Sequence, residues 1–184
     1  MWCLTVAESA ARCESTKSLT MTNGHPRRLA AKHVLSVPLS NLSWSRLAWF
    51  SKCIAASIGP FDECLLWVTL SGVWRSSENW HLFYRLRESY GERRPLHEAP
   101  GHLFLQHEAA DLATFIGVAL LSGWDFYLLP DMDYASVFVT HDEFLEFYTD
   151  GDALAGEFSL SLTAAKVEHR SNVGTSDGRD SSSE

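Results

Sequence analysis

The sequence predicts a mixed α/β (α+β) domain, with a small sheet of about three strands that includes an antiparallel hairpin and is covered by three to four helices. Three observations carry that prediction. Cys64-Leu65-Leu66-Trp67-Val68-Thr69-Leu70 is apolar on both alternating faces, as a centrally buried strand is. Phe126-Tyr127-Leu128-Leu129 and Ala135-Ser136-Val137-Phe138-Val139 are short β-prone runs, and Pro130-Asp131-Met132-Asp133 between them has turn chemistry. Apolar residues recur at helical spacing in Trp44 to Ile58 and in Leu105 to Leu120.

Residues 1–24 are rich in Ser, Thr and Ala without periodicity and read as an N-terminal tail, either disordered or ahead of a native start at Met21. His25-Pro26-Arg27-Arg28 and Lys32 form a small basic patch of the kind found on solvated arms. The first helix is expected to begin near Ser40 to Ser43, whose side chains can accept the first free N–H groups. Trp44, Leu47, Ala48, Ile54, Ala55 and Ile58 form its inner face, and Gly59-Pro60 ends it. The buried strand follows.

A second helix is expected from Glu78 to Tyr90, capped by Ser76 or Ser77 and closed by Gly91. Leu82, Phe83, Leu86 and Tyr90 would face inward, and Arg85, Arg87 and Glu88 outward. His102-Leu103-Phe104-Leu105 reads as a short extended piece. The third helix spans about Gln106 to Ser122, with Leu105, Ala109, Leu112, Ala113, Ile116 and Leu120 as its stripe. Thr140-His141-Asp142-Glu143 has the form of a capping box and predicts a fourth helix carrying Phe144, Leu145, Phe147 and Tyr148. After Asp150 the pattern fades. The globular domain is therefore expected over 25–150, with 151–184 a mostly disordered C-terminal tail that ends in low-complexity Ser171 to Glu184.

The net charge of −8 conceals a split. Met1 to Gly59 carries seven Lys/Arg against two Asp/Glu, whereas Pro60 to Asp150 carries five arginines, no lysine and fifteen acids. A domain of that sign is a poor partner for phosphate backbones, so no nucleic acid is expected. No apolar run approaches the roughly 18 residues of a membrane span, and the N-terminus lacks the pattern of a signal peptide. A cytoplasmic protein without membrane contact is the expectation. The cysteines Cys3, Cys13, Cys53 and Cys64 show no paired spacing; Cys53 and Cys64 read as buried free thiols. An apolar strand raises a thiol pKa, which argues against Cys64 as a nucleophile.

The most chemically suggestive stretch runs from Leu96 to Asp111. His97, His102, His107 and Asp111, with Glu98 and Glu108, supply every ligand type of a zinc or iron site. Their spacing opposes it, because Glu98-Ala99-Pro100-Gly101 breaks any helix that could align His97 with His102 as in HExxH. Only His107 and Asp111 stand one helical turn apart. No metal or other cofactor is expected. His141-Asp142-Glu143 follows a strand, where a catalytic dyad could sit, but the capping box already accounts for Thr140 and Glu143. No GxSxG, GxxxxGK[ST] or GxGxxG is present. Trp67, Trp74, Trp80 and Trp124 are numerous for a small core; Trp74 and Trp80 beside a turn divide between packing and interface roles.

The segments Leu65-Leu66-Trp67-Val68-Thr69, Ser76-Ser77-Glu78-Asn79, Leu82-Phe83-Tyr84-Arg85-Leu86-Arg87, Leu96-His97-Glu98-Ala99-Pro100-Gly101-His102, Gly123-Trp124-Asp125 and His141-Asp142-Glu143 resemble a family of small uncharacterised bacterial proteins over about residues 64–148. The resemblance implies that this stretch is the domain. It implies no activity and assigns no residue a role.

Three functions fit these features. The first is a non-enzymatic interaction domain, a regulator or immunity-type inhibitor, whose acidic, Trp-containing face (Trp74, Trp80, Asp131, Asp133, Asp142 and Glu146) meets a basic protein partner. The second is a small metal-dependent hydrolase using His97, His102, His107 and Asp111. The third is a structural subunit whose aromatic surface makes a homodimer. The first is favoured, since charge and aromatic surface need no special spacing.

Overall fold

The computed structural model describes residues 1–15, 19–22, 25–28, 31–40, 42–71, 80–131, 134–142 and 144–173. The strands are β1 (Trp2–Leu4), β2 (Leu19–Thr22), β3 (His25–Arg28), β4 (His33–Pro38), β5 (Glu63–Leu70), β6 (Gly101–Leu105), β7 (Asp125–Pro130), β8 (Ala135–Thr140), β9 (Phe144–Thr149) and β10 (Arg170–Val173). The helices are α1 (Val6–Glu14), α2 (Trp44–Ser57), α3 (Trp80–Ser89), α4 (Ala109–Leu121) and α5 (Asp152–Ala164), with a single 3₁₀ turn, Gln106–Glu108, ahead of α4.

The expected sheet of about three strands does not fit. Eight strands form one antiparallel sheet in the order β1-β6-β5-β7-β8-β9-β4-β10, and β2 and β3 pair as a separate ribbon. The mixed α+β character stands. The predicted hairpin is β7–β8, with Tyr127 opposite Phe138. The predicted buried strand is β5, flanked by β6 and β7. Its alternate residues explain why it is apolar throughout. Cys64, Leu66 and Val68 enter the main core, whereas Leu65 and Trp67 enter a second cluster on the opposite face.

The main core lies between the sheet and one layer of helices. Phe50 and Ile54 of α2, Leu112, Phe115 and Ile116 of α4, and Phe158 and Leu162 of α5 meet the inward residues of β4, β5, β7, β8 and β9. On the other face α1 and the β2–β3 ribbon cover only part of the sheet; Cys13 and Met21 close over Leu65, Trp67, Leu103 and Leu129. α2 runs close to its predicted limits. It ends at Gly59, whose φ of +72° suits glycine, and an added Cβ there would meet Tyr134 Oη at 2.7 Å. That hydroxyl donates to the Pro60 carbonyl at 2.6 Å, joining the helix end to the start of β8.

Four further differences concern elements. The predicted fourth helix is strand β9: Leu145, Phe147 and Thr149 are buried and alternate with less buried neighbours, the period of a strand. Thr140 Oγ1 accepts from the Asp142 N–H at 3.0 Å, so its hydroxyl serves a tight turn instead of a helix. Residues 1–24, expected as a tail, contain β1, paired with β6, and α1, which carries a Thr5–Glu8 capping box. Beyond Asp150, α5 buries Ala155, Phe158 and Leu162, and β10 pairs with β4; residues 174–184 lie outside the described residues. In α3 the buried stripe is rotated. Phe83 and Arg87 are fully buried and Leu82 is 46% exposed, so the expected outward Arg87 and inward Leu82 are both reversed. No helix among the described residues is long and apolar enough to cross a membrane.

Candidate functional site

The expected metal ligands are dispersed by β6. His97 is exposed on the loop before the strand, with Glu98 as an ion-pair neighbour at 3.9 Å. His102 points into the core, while His107 is exposed in the 3₁₀ turn. Five residues of mostly extended chain separate those two, roughly 15 Å. Asp111 accepts from the Tyr90 hydroxyl. Among the described residues no group of three or more His, Cys, Asp or Glu is placed to hold a metal ion.

One of these histidines belongs instead to a cluster at the sheet edge. Cys3 of β1 is the register partner of His102 of β6, so the two side chains share the helix-side face. Arg87 of α3 reaches the same place. Its guanidinium lies alongside the Cys3 thiol, 5.5 Å from the Tyr84 ring centroid, and Nη2 donates to the Ala99 carbonyl at 2.8 Å. The guanidinium also hydrogen-bonds the Cys3 thiol, and the His102 imidazole is offered the Pro100 carbonyl as well as that of Leu66. Arg87 and His102 are both fully buried. The imidazole sits among aromatic rings, with Phe83 at 5.3 Å and Phe115 at 5.6 Å between centroids, and its Nδ1 faces the Leu66 carbonyl oxygen at 3.4 Å.

Burial, reinforced by the Arg87 charge, pushes the His102 pKa down to about 3, so the ring is neutral. Burial also raises the Cys3 thiol, and the nearby guanidinium only partly opposes it. Beside Cys3, Arg94 holds the Glu92 carboxyl down at about 2 and donates to the Cys3 carbonyl at 3.0 Å. The resting chemistry is a neutral thiol and a neutral imidazole beside a buried cation. The sequence pattern missed Cys3 and Arg87. The available signal was the one-turn spacing of Phe83 and Arg87, masked by the usual preference of arginine for solvent.

His141 pairs with Asp125, which the chain brings close only through the β7–β8 pairing. Nδ1 lies 2.9 and 3.1 Å from the two carboxylate oxygens, and the His141 backbone N–H donates to the same group. Asp142, the neighbour suggested by sequence, is 3.7 Å from Nε2.

The expected partner face is divided. Trp74 and Asp133, like Glu143, lie outside the described residues, and Trp80 is the first residue of α3. Asp131 is exposed beyond the end of β7 and accepts from the Asp62 N–H at 3.2 Å, whereas Asp142 is exposed past the far end of β8. A strand length, roughly 20 Å, separates them. Glu146 lies between, on the outer face of β9, where it accepts from the Tyr148 hydroxyl. There the register runs Tyr127, Phe138, Glu146, Ser36, Arg170 across β7, β8, β9, β4 and β10. Tyr127 and Phe138 stack at 4.5 Å with their planes 18° apart. The basic N-terminal region turns back on other acids: Arg12 pairs with Glu63, and Lys32 with Asp152 at 2.7 Å. Asp131, Asp142 and Glu146 pair with no Lys or Arg among the described residues. Among the described residues, the exposed tryptophans are Trp2, Trp44 and Trp49, at 56%, 66% and 39%.

No family model, curated protein or solved structure matches the chain.

Proposed function

We propose that the protein is a non-enzymatic cytoplasmic interaction domain, a regulator or inhibitor, that receives a basic protein segment on the outer face of β7, β8, β9 and β4. The supporting observation is the asymmetry of that face. α1 and the β2–β3 ribbon cover the part over β5 and β6, and next to them a half-buried row of Tyr127, Phe138 and Glu146 carries no helix among the described residues. Stacked rings supply rigid apolar area at small entropic cost. Glu146, with rim carboxylates at Asp131 and Asp142, makes the β7–β9 part of the row negative, while Arg170 stands two strands away at its β10 end. A cationic segment fits such a surface, and its approach is accelerated by the field.

The test is a photoreactive benzoylphenylalanine in place of Phe138, expressed in the native cell, with the same residue at Leu160 as control. The expected result is an adduct from position 138 alone, to a protein cross-linked through a Lys/Arg-rich segment, whose on-rate falls with salt and with Glu146→Lys. Adducts equal at both positions, or a partner segment lacking basic residues, overturn the proposal. A self-adduct from position 138 replaces it with a homodimer.

A further inference from the structure

We infer that the outward face of α2 is a second docking surface, one that takes an acidic amphipathic segment of a protein partner. It lies on the helix side of the sheet and is independent of the row on the outer face. α2 turns Phe50, Ser51 and Ile54 inward. Away from them, helical spacing sets out two stripes, Trp44-Ala48-Lys52 and Arg46-Trp49-Cys53. Trp44 is 66% exposed and Trp49 39%, while Cys53 is half-buried. A single exposed apolar side chain is ordinary. Two tryptophans about one and a half turns apart on one helix form a patch of the residue type that anchors interfaces.

Charge complementarity names the occupant. α2 contains two cations, Arg46 and Lys52, and no acid. Both are exposed, and neither side chain makes an ion pair or hydrogen bond with a described residue. In this they differ from Arg12 and Lys32, which turn onto Glu63 and Asp152. Each stripe thus presents one indole and one cation, in opposite order along the helix. Arg46 and Lys52 stand about 9 Å apart along the axis, so the matching segment carries carboxylates roughly two helical turns apart. Apolar side chains between those carboxylates cover the indoles. An anionic bilayer also favours tryptophan and cations, but the surroundings oppose it. α5 packs beside α2 through Phe158 on Phe50 and exposes Asp152 and Glu157, and the whole chain carries a charge of −8. The cationic strip is narrow, which suits a peptide segment.

The test uses the full-length protein and two fluorescein-labelled helical peptides of Leu and Ala that differ only in carrying Glu or Lys on the polar face. Fluorescence anisotropy gives their affinities, and benzoylphenylalanine in place of Trp49 maps the site. The acidic peptide is expected to cross-link from position 49. Its Kd should rise at least about tenfold when Trp44→Ala and Trp49→Ala are combined, and at least about threefold when Arg46→Glu and Lys52→Glu are combined. The basic peptide is expected to cross-link from position 49 only after that charge reversal. Its cross-linking from position 138 reports on the outer face separately, so either surface can fail alone. Vesicles of phosphatidylserine and phosphatidylcholine are expected to leave the protein in the supernatant. Sedimentation with vesicles that requires Trp44 and Trp49 overturns the protein partner in favour of a bilayer. Absence of a cross-link from position 49, equal yields there for the two peptides, or an acidic-peptide affinity that either double variant leaves unchanged overturns the surface.

Discussion

Phe158 of α5 lies 4.8 Å, centroid to centroid, from Phe147 of β9, and this contact makes the C-terminal helix a wall of the main core. A chain cut after Asp150 therefore loses core instead of tail. Phe158→Ala is expected to destabilise by about 3–5 kcal/mol. At roughly 2–4 °C per kcal/mol for this size, that lowers the thermal midpoint by about 6 °C or more. Leu160→Ala on the same helix, 70% exposed, should stay within about 0.5 kcal/mol. Thermal denaturation followed by circular dichroism checks both, and equal midpoints for the two variants would remove α5 from the core.

Within α4, Leu112→Ala and Ile116→Ala should each cost about 2–5 kcal/mol, because both side chains are fully buried between sheet and helices. Thr114 is exposed, and Thr114→Ala should cost about 0.5 kcal/mol or less. Urea titrations at constant m-value decide the ranking.

Gly59 and Gly91 both adopt positive φ, at +72° and +83°, but only Gly59 has a neighbour in the way. Gly91→Ala should cost about 1–2 kcal/mol from left-handed strain alone. Gly59→Ala carries the same strain and displaces the Tyr134 hydroxyl from the Pro60 carbonyl, so its cost should exceed that of Gly91→Ala by about 1 kcal/mol. Adding Tyr134→Phe should narrow the gap, which a double-mutant comparison of unfolding free energies measures.

Thiol reactivity should follow burial. Burial raises all four thiols, Cys13 to about 11 and Cys64 further still. Maleimide at pH 8 should label Cys3 and Cys53 slowly and leave Cys13 and Cys64 unlabelled until denaturant is added. Native-state labelling of Cys64 ahead of Cys53 would contradict the placement of β5 in the core.

Acid should weaken the loop beside Cys3. Arg94 holds the Glu92 pKa near 2, below its unfolded value, so the pair contributes stability above the ordinary carboxylate range and loses it as pH falls toward 2. Glu92→Gln should flatten the fall in thermal midpoint between about pH 5 and pH 2, and an unchanged slope would remove the pair from the acid response.

What was legible in the sequence were the segments whose own pattern decided their structure. β5 is apolar on both faces, α4 repeats every three to four residues, and β7–β8 surround a Pro-Asp turn. The strands that were missed depend on partners distant in the chain. His33–Pro38 lies between β9 and β10, each more than a hundred residues away, and its own pattern is too short to announce a strand. At Phe144 a local capping signal competed with period-two alternation, and pairing with β8 and β4 prevailed. The cluster at Cys3 was hidden for the same reason. Its three members come from residues 3, 87 and 102, and no local spacing connects them.

The strand order has a consequence for colloidal behaviour. The two ends of the sheet are closed by the shortest strands in it, the three residues of β1 and the four of β10. Short edge strands are poor templates for pairing with another molecule, whereas β6 behind β1 is a buried, apolar Gly101-His102-Leu103-Phe104-Leu105. Loss of the first four residues, by proteolysis or in a shortened expression product, would turn that segment into an open apolar edge. Such a product would be driven toward edge-to-edge aggregation while most of its core remained intact.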